Sequence, residues 1–163
     1  EYMAEVRQYA TIGGVVLAAR ARAGTIDADG VLARGVPFFK RYFLGGSSSL
    51  RGWGRFEVSP LTVAGNPIGG HSLLESSAEV RVPAFGPITI VGFVDAGNVW
   101  YDSFDFDLSD LRVSVGPGLR YRTPIGPIRF DIGYQLTPIE GLLVSGEPEP
   151  RRWRFHFSIG QAF

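Results

Sequence analysis

"LRVSVGPGLRYRTPIGPIRFDIGYQL" occupies residues 111–136 and reads as two strands around one tight turn. Side chains along a strand point alternately to opposite faces, whereas a helix repeats near 3.6 residues. Leu111, Val113, Val115, Pro117, Leu119 and Tyr121 are apolar, while Arg112, Ser114, Gly116, Gly118 and Arg120 between them are polar or small. After "TPIGP" (123–127) the alternation resumes, with Ile128, Phe130, Ile132, Tyr134 and Leu136 set against Arg129, Asp131, Gly133 and Gln135. The prolines of the connector stand where a hydrogen-bonded ladder has to stop.

Working outward, the same period recurs. Trp153, Phe155, Phe157, Ile159 and Phe163 alternate with Arg154, His156, Ser158, Gly160 and Ala162, and the segment from Leu74 to Val82 alternates with Glu75, Ser77, Glu79 and Arg81. Ile88 to Trp100 is a more apolar strand carrying Asp95, Gly13 to Arg22 is another, and Tyr2 to Thr11 is a weaker one. No window of a dozen residues combines a 3.6 period with a cap and a stop. The pattern predicts an all-β chain of about seven strands, each near the ~9–11 residues that cross a bilayer at a tilt.

The connectors are of two kinds. "PAFGP" (83–87) and "TPIGP" are short, and between them lie long ones: 23–68, 101–110 and 137–151. Because short and long alternate, all short turns fall at one end of the sheet, as in outer-membrane barrels. A soluble sandwich or lipocalin-like barrel also alternates, but it encloses its apolar face. Here the other face is crowded with Glu75, Glu79, Arg81, Arg112, Arg120, Arg129 and Asp131, which suits a water-filled lumen, and Trp100, Tyr101, Tyr121, Trp153 and Phe163 sit near strand ends as interfacial aromatics do. The expected fold is an antiparallel transmembrane β-barrel sheet with membrane lipids against its apolar side.

Composition narrows the function. Sixteen basic and sixteen acidic side chains leave no net field, which argues against nucleic acid as partner. With no cysteine, thiolate chemistry and Cys-based zinc sites are excluded. The apolar runs at 13–19 and 88–94 fall well below the ~20 residues of a membrane-crossing helix. The opening "EYMAEVRQYATIGG" has no basic region followed by an apolar one, so an export signal is expected outside this stretch. His71 and His156 lack partners at metal-ligand spacing, "GGSSS" lacks the lysine of a phosphate loop, Ser47 to Ser49 have no evident base, and Glu75 and Glu79 are explained by neighbouring arginines. No catalytic set, metal or cofactor is expected, and the chain does not read as an enzyme.

The long connection holds "RYFLGGSSSLRGWGRFEVSP" (41–60), in which Arg41, Arg51, Arg55, Tyr42, Phe43, Trp53 and Phe56 exceed what a solvated connector needs. A connection of this length without secondary structure tends to be functional. If it folds into the lumen, its arginine leaves bulk water and requires acidic partners. Glu79, on the first strand after the loop, and Asp95, on the second, share the lumen-facing parity.

"LRGW" (50–53), "FVDAGNVW" (93–100), "VGPGLRYRTPIGPIRFDIGY" (115–134) and a last strand ending in Phe163 resemble the C-terminal half of the BamA/TamA superfamily of outer-membrane insertion and translocation barrels, also called bacterial surface antigen proteins. The resemblance covers nearly the whole chain, with Leu50 and Trp53 standing where that family more often has valine and phenylalanine or tyrosine. It implies a sixteen-stranded barrel whose inward loop packs its aromatics inside the barrel and sets Arg51, Gly52 and Trp53 against Glu79 and Asp95 as a lumen latch. It also implies a role in inserting or translocating other outer-membrane proteins. The strand Trp153, Phe155, Phe157, Gly160, Phe163 would then form one side of a weak seam and a C-terminal signal, with Gly160 weakening the pairing. Implied partners are unfolded outer-membrane clients and periplasmic or lipoprotein accessory factors. As seven is an odd number, the stretch is expected to be part of a longer barrel and able to self-associate if made alone. The alternatives within the resemblance are a two-partner-secretion pore and the membrane anchor of a patatin-like enzyme.

Overall fold

The computed structural model describes residues 1–27, 35–124 and 126–160; Phe163, part of the long connection and Ile125 of the "TPIGP" turn lie outside the described residues. Alternation becomes strands as expected: β1 (Tyr2–Ile12), β2 (Val15–Thr25), β3 (Ser72–Pro83), β4 (Ile88–Trp100), β5 (Arg112–Tyr121) and β6 (Ile128–Gln135). A small hairpin of β7 (Leu143–Val144) and β8 (Glu147–Pro148) then precedes β9 (Trp153–Ile159). One antiparallel seven-stranded sheet runs in the order β1-β2-β3-β4-β5-β6-β9, and β7-β8 stand apart from it.

Local chemistry sets the turns. Gly13 and Gly14, at φ +57° and +85°, make the two-residue connection of β1 and β2, a geometry open to glycine that matches the twist of paired strands. Pro83 is the last residue of β3, where the missing N–H ends the ladder. The connections 13–14, 84–87 and 122–127 join strand ends on one side of the sheet, and the long connections 26–71, 101–111 and 136–152 join strand ends on the other. Ala23, Gly24 and Thr25 pair with Leu74, Leu73 and Ser72, so β2 outlasts its charged alternation by one turn of the pleat and the long connection begins at 26.

Each strand separates two solvents. On one face Val80, Val82, Ile90, Val94, Leu119, Phe130, Phe155 and Phe157 are exposed, an apolar band far larger than a water-soluble monomer tolerates. On the other, Glu75, Ser77, Glu79, Asp95, Ser114, Arg120, Arg129, Asp131 and Gln135 are buried. They are covered by residues 44–58 of the connection between β2 and β3. Arg20 of β2 reaches the Ser48 carbonyl at 2.9 Å, and His156 of β9 lies 2.9 Å from the Arg51 carbonyl. In a flat sheet strands five places apart would be roughly 24 Å from each other. The sheet therefore curls around the connection, which occupies its concave side.

That connection has its own apolar centre. Leu44, Leu50, Trp53 and Val58 pack with Leu73 and Val99 from the strand ends and Leu142 from the β6–β9 connection. Its backbone forms one 3-10 turn at Phe38–Lys40 and the isolated bridges Tyr42↔Gly70, Leu44↔Val58 and Leu61↔Pro67. Of its aromatics only Trp53 is fully enclosed. Phe38, Phe39 and Phe56 are exposed, so the expectation that all the loop's aromatics pack inside is corrected. Phe43 sits edge-on between Phe38 and Phe56, at centroid distances of 5.2 and 5.5 Å.

Candidate functional site

The site is the tip of the 26–71 connection, residues 44–58, lodged against six strands, β2 to β6 and β9. Gly45 and Gly46, at φ +108° and +99°, reverse the chain, and the Gly46 N–H donates to the Trp53 carbonyl at 3.0 Å. A Cβ on Gly45 would land on the Gly54 carbonyl oxygen. The two limbs of the tip can close this tightly because glycine stands there, and the closure presents Leu50, Arg51, Gly52 and Trp53 to the sheet.

Arg51 is 1% exposed. Its Nε and Nη2 donate to the two carboxylate oxygens of Asp95 at 2.8 and 2.7 Å, and its backbone N–H donates to the same carboxylate at 3.0 Å. Nη1 donates to Glu79 at 2.5 Å and Nη2 also to Ser77 Oγ at 3.1 Å. Ser77 in turn donates to Asp95 at 2.6 Å, which fixes the carboxylate plane for the guanidinium fork. The guanidinium carbon lies 3.5 Å from the centroid of the Phe93 ring, a cation over an aromatic face.

The carboxylates are shared. Glu79 also takes Arg81 at 2.7 Å and Arg120 at 3.3 Å; Asp131 takes Arg120 at 2.6 Å and Arg129 at 3.0 Å and lies 3.9 Å from Arg51. Four guanidinia thus alternate with three carboxylates. Burial of any one alone would carry a desolvation penalty of several kcal/mol, which the alternation offsets. A second group lies beside it, where Glu75 binds Arg20 and, at 2.6 Å, Arg22. Arg20 and Arg129 hold the "GGSSS" segment through the carbonyls of Ser48 and Ser47, at 2.9 and 2.7 Å.

Gly52 meets the next two strands. Its N–H donates to Ser114 Oγ at 3.1 Å and its carbonyl accepts from Gln135 Nε2 at 2.8 Å. A Cβ here would come within 2.6 Å of the Ser114 Cβ, and one on Gly133 would fall on the Arg51 carbonyl oxygen. Trp53 is fully enclosed in the loop's apolar centre, and its indole N–H has no partner among the described residues, so its contribution is area and shape. β9 closes the far side: a carbonyl only accepts, so His156 donates from Nε2 to Arg51 O, and Arg154 pairs with Glu57 at 3.0 Å and Glu149 at 2.8 Å.

The structure brings Arg51, Gly52, Trp53, Glu79 and Asp95 together. Trp153, Phe155 and Phe157 point to the opposite, apolar face. Gly160, at φ +107°, stands directly after β9 and still donates to the Pro127 carbonyl at 2.8 Å. Sequence reasoning left out Ser77, Phe93, Ser114, Asp131, Gln135 and His156. A usable signal existed for Asp131: counting back from the 122–127 turn pairs it with Gly118, two residues from Arg120 and on the same face. Among the described residues no three His, Cys, Asp or Glu side chains are arranged to hold a metal ion. The assembly binds a loop to a wall; it offers no nucleophile poised on a base.

Residues 2–163 match the family model described as the Omp85 superfamily domain. The chain belongs to the Omp85 superfamily. Among its relatives, a protein of Nitratidesulfovibrio vulgaris named outer membrane protein assembly factor BamA is 35% identical over 153 residues, 91% of this chain and 18% of that protein. The protein of the same name from Neisseria meningitidis is 26% identical, covering 78% of this chain and 19% of its own length. The crystal structure of BamA from Haemophilus ducreyi lacking POTRA domains 1-3 superposes with a TM-score of 0.73 at 23% identity, over 93% of this chain and 33% of that one, and so shares the fold. The chain therefore spans less than a fifth of the curated relatives' length. Omp85 membership, with strands that are apolar outside and ionic inside, places it in the bacterial outer membrane.

Proposed function

We propose that this Omp85 chain is the loop-bearing portion of an outer-membrane protein assembly barrel, and that its inward loop is a latch that holds the lumen wall in a working shape. The observation that carries the reading is the burial of Arg51 on Asp95 and Glu79, backed by Ser77 and the Phe93 ring. A guanidinium held in this way is rigid, because fork geometry and ring stacking together specify one orientation. The naming of two relatives as assembly factors supports the choice of activity. The partners that follow are membrane lipids outside, unfolded β-rich clients, and accessory factors on the periplasmic side.

The role is mechanical. A barrel that admits client strands needs an edge that can pair with them and a wall that does not collapse as it does so. The loop supplies the second requirement, and the apolar outward residues Trp153, Phe155 and Phe157 belong to the strand nearest the first. The test is Arg51→Ala in the full-length protein, followed in cells by the steady-state level of folded outer-membrane clients and by heat-modifiable migration of the barrel. The proposal expects both to fall. Unchanged client levels with an unchanged barrel would overturn it.

A further inference from the structure

The tip is gripped from two directions, and the second grip is on the sheet's last strand. Arg51 gives its guanidinium and N–H to β3 and β4, while its carbonyl accepts from His156 of β9. Three residues past Gly54, Glu57 receives Arg154 of β9 through both carboxylate oxygens at 3.0 and 3.1 Å. Thus two of the three lumen-facing residues of β9, Arg154 and His156, are committed to the loop. Among the described residues β9 pairs with β6 alone, through seven residue pairs from Tyr134↔Trp153 to Ile128↔Ile159.

We infer that Arg154 and His156 are positioning residues that make the loop an internal strut for β9, so that the sheet edge leaves β6 only when the tip releases it. The chemistry supports a strut over incidental contact. Gly133, on β6 between the two strands, is open enough that the Arg51 carbonyl passes over it to reach β9, since a Cβ there would occupy the oxygen's place. The Arg51 carbonyl shares its peptide plane with the Gly52 N–H, which donates to Ser114 Oγ at 3.1 Å, and Arg51 itself is fixed through its own N–H and guanidinium by Asp95, so displacement of the carbonyl would strain both anchors. Glu57 cannot follow β9 outward without cost either, because its carboxylate also accepts from the Gly54 N–H at 2.7 Å and shapes the turn behind the tip. The loop and β9 therefore share one free energy of release, as contacts joined through a single anchored residue do.

This inference rests on the latch reading but is tested separately from client assembly. The measurement is amide hydrogen exchange of the full-length protein in lipid nanodiscs, read at Trp153–Ile159 with β3 and β4 as internal controls. His156→Ala, and independently Glu57→Gln, which alters the loop and leaves β9 untouched, should each speed exchange across β9 by on the order of fivefold, with β3 and β4 unchanged. His156→Gln, which keeps a donor at that position, should restore protection. Arg51→Ala should speed β9 as well, and His156→Ala added to it should contribute nothing further. If β9 exchange stays at the wild-type rate in both single variants, or if the effects of Arg51→Ala and His156→Ala simply add, the strut does not exist. A loss of client assembly without these exchange changes would leave the latch reading standing and this inference overturned.

Discussion

Arg51 concentrates the energetics of the site in one side chain. Removing one partner of a buried ionic group leaves the others uncompensated, so Arg51→Ala should cost about 3–5 kcal/mol, measured as a lowered denaturant midpoint for loss of heat-modifiable migration. Arg51→Lys should recover little of this. An ammonium cannot bind both oxygens of Asp95 as a fork while stacking on Phe93. Gly52→Ala tests close approach: its Cβ would press on Ser114, so the variant should fold with a displaced tip, and Ser114→Gly should relieve it in part. Of these roles, the parity of Glu79 and Asp95 was readable, because alternation says which face a residue takes. Depth was not. The lumen face is ionic along its whole length, and only the register of neighbouring strands shows that Asp131 and Ser77 lie level with the tip while Glu75 belongs to Arg20 and Arg22.

At the scale of elements, the inward loop holds its shape through a small apolar centre as well as through ions. Trp53→Ala should remove about 3–5 kcal/mol of packing and raise protease nicking within 35–70 without altering the strands. The strands themselves were legible because two solvents impose a period of two on them. The β7–β8 hairpin was not, being two residues long on each side and held by the Leu142 contact and by Glu149. Hydrogen bonds from Arg151, outweighing the effect of burial, hold the Glu149 carboxyl well below the usual carboxylate range. A depressed folded-state value means that its stabilisation is complete at neutral pH and disappears as pH falls below that range toward the depressed value. Proteolysis of the 136–152 connection by an acid-active protease should therefore rise as pH falls below about 4, and in Glu149→Gln it should already be raised at neutral pH with a neutral protease.

For the whole molecule, the seven strands make a curved wall with β1 and β9 at its edges. Every residue of β1 is exposed, and nothing among the described residues pairs with its outer side. Unpaired backbone at membrane depth is costly, so the isolated 163-residue chain in detergent should associate through these edges in a concentration-dependent way, seen by sedimentation. Embedded in a longer barrel the same edges would be satisfied, and the loop would brace the wall from within. The direct measurement is a side-chain-resolution structure of the full-length protein in a lipid bilayer, read at Arg51. The account predicts its guanidinium inside the barrel, within hydrogen-bond distance of Asp95 and Glu79 and over the Phe93 ring. A guanidinium outside the lumen, bonded to neither carboxylate, would contradict it.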